Sequence, residues 1–447
     1  MHDVISHCVL NLKVLLSLKY LGGIVRRIRL NIVEGDLEID EKTIIDLEEG
    51  SSRLIVHGVF KSSSDVRVNG SLHAERLESI GGDVTVKGDL EIEGEIEVEK
   101  ASLNVSGSLK AENVAVDEHL KVDLNVTCNS LSVGKSAEIG GKLSSTYVNV
   151  GGILDVKGAV EAENINVGGI LRGGSDLTSS KVTVGGKLIL TGSGTLKAER
   201  IIVGGTLEID GEYGVGVESL AVGGTAKICG GIFSGSISIG GLLTSNGDIK
   251  FEDLNVGGRV EIFGNCEGRT VNVGGTFKVS DSTFLHDLNV GGGVWIGGGC
   301  EVENMDVGGR VMVDKSLKVN GMLNVGGNVK VKGVLACGDL DVGGGMEASK
   351  LISSGTVEIG GYIYTEKGAW AEKVIIRRRG RVKGSLSAKY IFAERGSRLG
   401  DLYGGTIILE DWCEAGNIYG EHVKLGRHCK INGRILYKYE VDLASHV

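Results

Sequence analysis

Proline is absent from the 447 residues, and aromatic residues make up only 4%. An ordinary chain carries about 5% Pro. The absence excludes a collagen triple helix, which needs Pro and a glycine at every third position. No CxxC pair occurs among the 8 cysteines. That argues against a zinc site or a disulfide scaffold, and for a reducing compartment. No apolar run reaches about 18 residues, so a membrane-spanning helix is not expected. Residues 1–30 lack the clean apolar block and small-residue cleavage site of a secretory signal. Basic residues are in deficit, with 48 Lys and Arg against 58 Asp and Glu. A net charge of −10 argues against general nucleic-acid binding, which needs a basic face to displace counterions.

Glycine, at 74 residues, and a hydrophobic content of 41% are what the chain has instead. That apolar content suffices for a folded core. The glycines are periodic. Val/Ile-Gly-Gly recurs at 150, 167, 184, 203, 222, 239, 256, 273, 290, 307, 325, 342 and 359, and nine of these twelve intervals are 17 residues. The period continues backwards through Val133, Val116, Val98 and Ile80, and forwards through Ile376, Ala393, Leu409, Leu425 and Val441.

Each period holds three apolar pairs whose members are two residues apart. After Val150 these are Leu154 and Val156, Val160 and Ala162, then Ile165 and Val167. The coil after Val307 is one residue longer, and either Met322 or Leu323 fills its pair with Val325. A spacing of two places both side chains on one face of an extended strand. Three short strands per period make one coil of a β-solenoid. The expected fold is therefore all-β, a single-stranded three-sided parallel β-helix of about 24 coils of about 17 residues. It is expected to run continuously over 30–447, with irregular early coils at Leu37/Ile39, Ile45/Leu47, Leu54/Val56 and Val66/Val68. Pro would delete a ladder donor from strands that are nearly all central. A narrow bore favours aliphatic residues over rings. The paired glycines are expected at a corner that requires positive φ.

The C-terminal coils carry a more specific pattern. It reads Val374-Ile-Ile-Arg-Arg-Arg-Gly-Arg-Val-Lys-Gly-Ser-Leu, then Tyr390-Ile-Phe-Ala-Glu-Arg-Gly-Ser-Arg-Leu-Gly-Asp-Leu, then Val423-Lys-Leu-Gly-Arg-His-Cys-Lys-Ile-Asn-Gly-Arg-Ile. Over about 360–447 the chain resembles the bactofilin family of polymer-forming cytoskeletal proteins. The resemblance implies a right-handed β-helix that polymerises end to end without nucleotide or other cofactor. It also implies a cytoplasmic location, often at a membrane through a short N-terminal segment. This chain departs from the family in its much longer solenoid.

The end of a β-solenoid is an open edge of unpaired backbone groups around an apolar triangle. The apolar pattern persists at the C-terminus through Ile431, Ile435, Tyr437, Val441 and Leu443, with no obvious polar helix after it. These residues are the expected interface for docking onto another copy of the chain, as a homopolymer without catalytic activity. Trp295, Trp370 and Trp412 fall on outward positions, with Met312 beside Trp295 in the next coil, and are candidates for lateral contact. Residues 1–29 form an amphipathic segment with Val9, Leu12 and Leu16 on one side and Lys13, Lys19, Arg26 and Arg27 as its cations. As a helix it would suit an anionic membrane surface or a partner. Its alternation of period two fits a capping strand equally well.

Other chemistries are weighed on the same residues. A left-handed hexapeptide acyltransferase would also show residues six apart, such as Val150, Val156 and Ala162. It resembles its kin in needing a His in a groove beside a protruding loop. Before the C-terminal coils the solenoid offers only His57, His73, His119 and His286, none in such a loop. A calcium nonapeptide solenoid needs two Gly-Gly units per coil and an Asp column, and neither is present. No Gly-Lys-Ser/Thr ends a phosphate loop. A polar column of Asn149, Asn166, Asn255, Asn272, Asn289, Asp306, Asn324 and Asp341 points outward. Stacked amides bonding each other explain it best, with a surface adhesin or ligand-binding rod as the alternative. Cys413 and Cys429 share an inward column in adjacent coils, and are expected as two buried thiols. Arg377, Arg378, Arg379, Arg381 and Lys383 form a basic corner, expected as a solvated face.

Overall fold

The computed structural model describes residues 25–444. They are all-β, with no helix and 68% strand, and wind as a parallel β-solenoid of about 25 turns at a spacing of about 17 residues. Backbone packing divides the chain into two compact units, Met1–Gly224 and Thr225–Val447.

In the first unit the coil after Val150 shows the construction. One face is the strand Ile153–Val156, paired in parallel with Ser136–Ile139 on one side and Ile170–Gly173 on the other. The strand Val160–Val167 bends over a corner and supplies the other two faces, stacked between Leu143–Val150 and Leu177–Val184. Leu154, Val156, Val160, Ala162, Ile165 and Val167 are all buried, as the spacing predicts. In the second unit Ile249–Val256, Cys266–Val273, Thr283–Val290 and Cys300–Val307 stack in the same way. Val260, Phe277, Val294 and Val311 form an inward column on the remaining face.

The paired glycines serve close approach rather than a special backbone conformation. None of the glycines following the thirteen Val/Ile positions has a left-handed φ. A Cβ on Gly168 would lie 2.1 Å from the carbonyl oxygen of Gly151 in the coil below. Left-handed glycine matters in the two longer coils. There Lys187–Val203 and Thr206–Val222 run as paired 17-residue strands. Gly192 and Gly211 stack at φ 113° and 116° and absorb the two extra residues. The coil lengthened by one residue resolves in favour of Leu323. It is buried in register with Met305, whereas Met322 bulges outward at 47% exposure.

Four further expectations need correction. Val98 pairs with Ser79, not Ile80, so Ser79 faces inward and Ile80 is exposed. The Ser79 hydroxyl donates to the Gly82 carbonyl at 2.6 Å, which makes a buried hydroxyl tolerable. The early inward pair is Thr43 and Ile45 rather than Ile45 and Leu47, because Thr43 Oγ1 donates to Glu41 O. Leu425 pairs with Leu443, since a bulge between Gly420 and His422 moves Val441 opposite Val423. The bore also accepts rings, with Phe60, Phe233 and Phe277 fully buried. Phe251 is accommodated because its register partner is Gly268, where a Cβ would come within 2.3 Å of the ring.

Candidate assembly surface

The terminal coil of the second unit is built from two strands that each have a single strand partner among the described residues. Lys430–Ile431 pairs with Glu414–Ala415. Ile435–Leu443 pairs with Ile418–Leu425. The opposite edge of each strand therefore carries backbone donors and acceptors with no strand partner. Ile418, Val423 and Leu425 are buried, but their register partners Ile435, Val441 and Leu443 are not. Tyr437 and Leu443 are 53% and 50% exposed. All five predicted interface residues thus lie on this coil, with Ile431 also only half-buried.

Sequence reasoning missed Leu436 and Tyr439, which are 55% and 59% exposed on the same strand. Inward periodicity cannot find them, because Leu436 follows the outward Tyr419 and Tyr439 sits in the bulge. Their signal is an apolar residue at an outward position. Tyr439 stacks on His422 with centroids 5.3 Å apart, and Lys438 Nζ lies 4.6 Å from the Tyr439 ring. Tyr419 stacks on Tyr403 at 4.9 Å with planes 2° apart.

The lateral candidates lie on separate coils. Trp295 is half-buried in register with Lys278 and Met312, and Lys278 Nζ is 5.3 Å from its ring. Trp370 is exposed beneath Lys350, at 4.6 Å. Trp412 is 53% exposed and stacks on His428 at 4.3 Å. The structure brings Trp295 and Met312 together, and leaves Trp370 and Trp412 apart from them.

The polar column does form an amide ladder. Asn166 donates to Asn149, Asn272 to Asn255, Asn289 to Asn272 and Asn324 to Asp306, at 2.9 to 3.1 Å. In the second unit it borders a shallow groove of about 660 Å³ lined by the first glycine of each pair from Gly240 to Gly308. The histidines sit in separate coils. His119 meets Ser136 at 2.6 Å, His286 meets Asp287 at 2.9 Å, and His73 lies 3.7 Å from Glu91. In the basic corner Arg377 is paired to Glu358, and the Arg378 backbone N–H donates to Glu394 at 2.9 Å. Among the described residues no cluster of His, Cys, Asp and Glu could hold a metal ion. Among them, too, no helix is long and apolar enough to cross a membrane.

At the other end, Val9, Leu12, Lys13, Leu16 and Lys19 lie outside the described residues. Arg26 and Arg27 do not belong to a separate segment. They open the strand Arg26–Arg29, which pairs with Thr43–Asp46, and Arg27 forms an ion pair with Asp46 at 3.3 Å. The solenoid therefore begins before residue 30, because the alternation of period two extends into these residues. Comparison of this chain with protein-family models, curated proteins and solved structures finds no match.

Proposed function

We propose that the protein is a non-catalytic scaffold that assembles end to end through its terminal coil, in the manner of the bactofilin family that its C-terminal coils resemble. The observation that carries this reading is the strand Ile435–Leu443. It repeats the inward pattern of the coil beneath it, yet among the described residues nothing covers Ile435, Val441 and Leu443 or pairs with the outer ladder edge. Covering an apolar side chain stabilises by about 1.5–3 kcal/mol. A second copy whose end coil continues the ladder would satisfy both the backbone and the side chains. No step of this function calls on a cofactor or an activated nucleophile.

The test is sedimentation and negative-stain microscopy of the pure protein beside a Val441→Lys/Leu443→Lys variant. The wild type should form concentration-dependent assemblies, and the variant should stay monomeric with an unchanged circular dichroism spectrum. A wild type that remains monomeric across salt and temperature would refute the proposal. A Trp295→Ser variant separates end contact from side contact, since it should thin bundles without shortening filaments.

A further inference from the structure

Two cysteines follow two left-handed residues at the same corner of adjacent coils. Trp412 has φ 63° and His428 has φ 57°, and their rings stack at 4.3 Å. Cys413 and Cys429 come next in each case. Their successors, Glu414 and Lys430, are register partners, and Lys430 N donates to Cys413 O at 2.8 Å. The two cysteines are therefore themselves neighbours across the ladder, one strand spacing apart. That spacing is about 4.8 Å, inside the range of Cα separations that a disulfide spans. Both side chains are inward, at 0% and 8% exposure. The Cys413 thiol donates to the Glu394 carbonyl at 3.4 Å, and the Cys429 thiol to the Glu410 carbonyl at 3.1 Å.

We propose that Cys413 and Cys429 are a redox-modification site, closed to an intercoil disulfide by a hydroperoxide and reopened by a dithiol. The Cys429 sulfur attacks the peroxide O–O bond, taking one oxygen as a sulfenic acid and releasing an alcohol or water. The Cys413 sulfur then attacks the Cys429 sulfur and the hydroxyl leaves as water. Two thiols give up two electrons and two protons, and the peroxide is reduced. Cys429 is the attacking residue because it is the more exposed of the two, at 8% against 0%. It also lies in the terminal coil, where Ile431, Ile435 and Val441 leave the bore only partly covered.

Other inward cysteines lack this arrangement. Cys266 and Cys300 are separated by Thr283, and Cys337 lies between Val319 and Ser353. The disulfide would tie Lys430–Ile431 to Glu414–Ala415, a pairing of only two residue pairs. The proposal concerns the undocked coil and does not rest on the assembly proposed above.

The experiment treats the full-length protein with hydrogen peroxide, blocks free thiols, and maps peptides by mass spectrometry under dissociating conditions. The expected product links Cys413 to Cys429, with a loss of about 2 Da that dithiothreitol reverses. Amides of residues 430–443 should exchange about tenfold more slowly in the oxidised form. Cys413→Ala should leave a sulfenic acid on Cys429 that dimedone traps. Cys413 and Cys429 both recovered as free thiols, or Cys429 overoxidised beside a free Cys413 in the wild type, would overturn the proposal. The wild-type map is decisive even if the variant fails to fold.

Discussion

Gly168 lies directly over Gly151, so near that a Cβ on Gly168 would stand 2.1 Å from the Gly151 carbonyl oxygen. The obstacle is backbone in a continuous ladder, so it cannot rotate away. Gly168→Ala should destabilise the protein by about 3 kcal/mol, at the upper end of overpacking costs. Gly216 is the control, since nothing stands within 4 Å of a Cβ there and its φ is not left-handed. Denaturant unfolding should separate the two variants clearly. Equal midpoints would show that the glycine column is not there for close approach.

Thr283 is fully buried between Cys266 and Cys300, and its hydroxyl has no hydrogen-bond partner. Burial also pushes the Cys300 thiol up to about 12, so its sulfur stays neutral. Thr283→Val replaces the hydroxyl with a methyl of similar shape. It should stabilise by about 1 kcal/mol, because an unsatisfied buried hydroxyl carries its full desolvation cost. A raised thermal midpoint is the readout.

Asp411 accepts the backbone N–H of Arg427 at 2.8 Å and the Arg427 guanidinium at 3.2 Å. Both hold its carboxyl below the usual 3.8, the backbone bond most strongly. A depressed folded value gives stability that is fully present above the unfolded value and lost as pH falls through the folded one. The wild type should therefore exceed Asp411→Asn in thermal midpoint at pH 5 to 7. The gap should close as the pH drops below 3.8. A gap independent of pH would show that the charge is not involved.

Asn272 donates to Asn255 and accepts from Asn289 on an exposed face. Asn272→Ala should cost about 0.5–1 kcal/mol, because each solvent-exposed bond is worth little net. Urea unfolding of the variant measures it. A loss of several kcal/mol would mean that the ladder is a principal support of the coil rather than its trim.

The coil and its inward columns were legible from Leu154, Val156, Val160, Ala162, Ile165 and Val167, because period-two burial leaves a direct trace in side-chain type. The reading failed where burial and polarity part company. Ser79 and Thr43 face inward because a backbone carbonyl accepts from each hydroxyl, and hydrophobicity is blind to that partner. It also failed where residues are inserted: one at the corner before Ile435 and one at the bulge after Tyr437 together exchange Val441 for Leu443 in the register. The glycine pairs were placed at the right corner for the wrong reason, as sequence shows where a side chain is missing but not what would strike it. At the terminal coil the inward residues were found, whereas Leu436 and Tyr439 needed the final strand to be seen without a neighbour.

The registers of the second unit make its turns interchangeable. Val273 stands on Val256, and Val290 on Val273, with Asn before each and a pair of glycines after. Excising residues 273–289 would set Val290 on Val256 in the same column, with Gly268 kept opposite Phe251. In-frame duplication or deletion of these seventeen codons would thus keep the register of the turns on either side. The product would be lengthened or trimmed by a whole turn along the same inward columns.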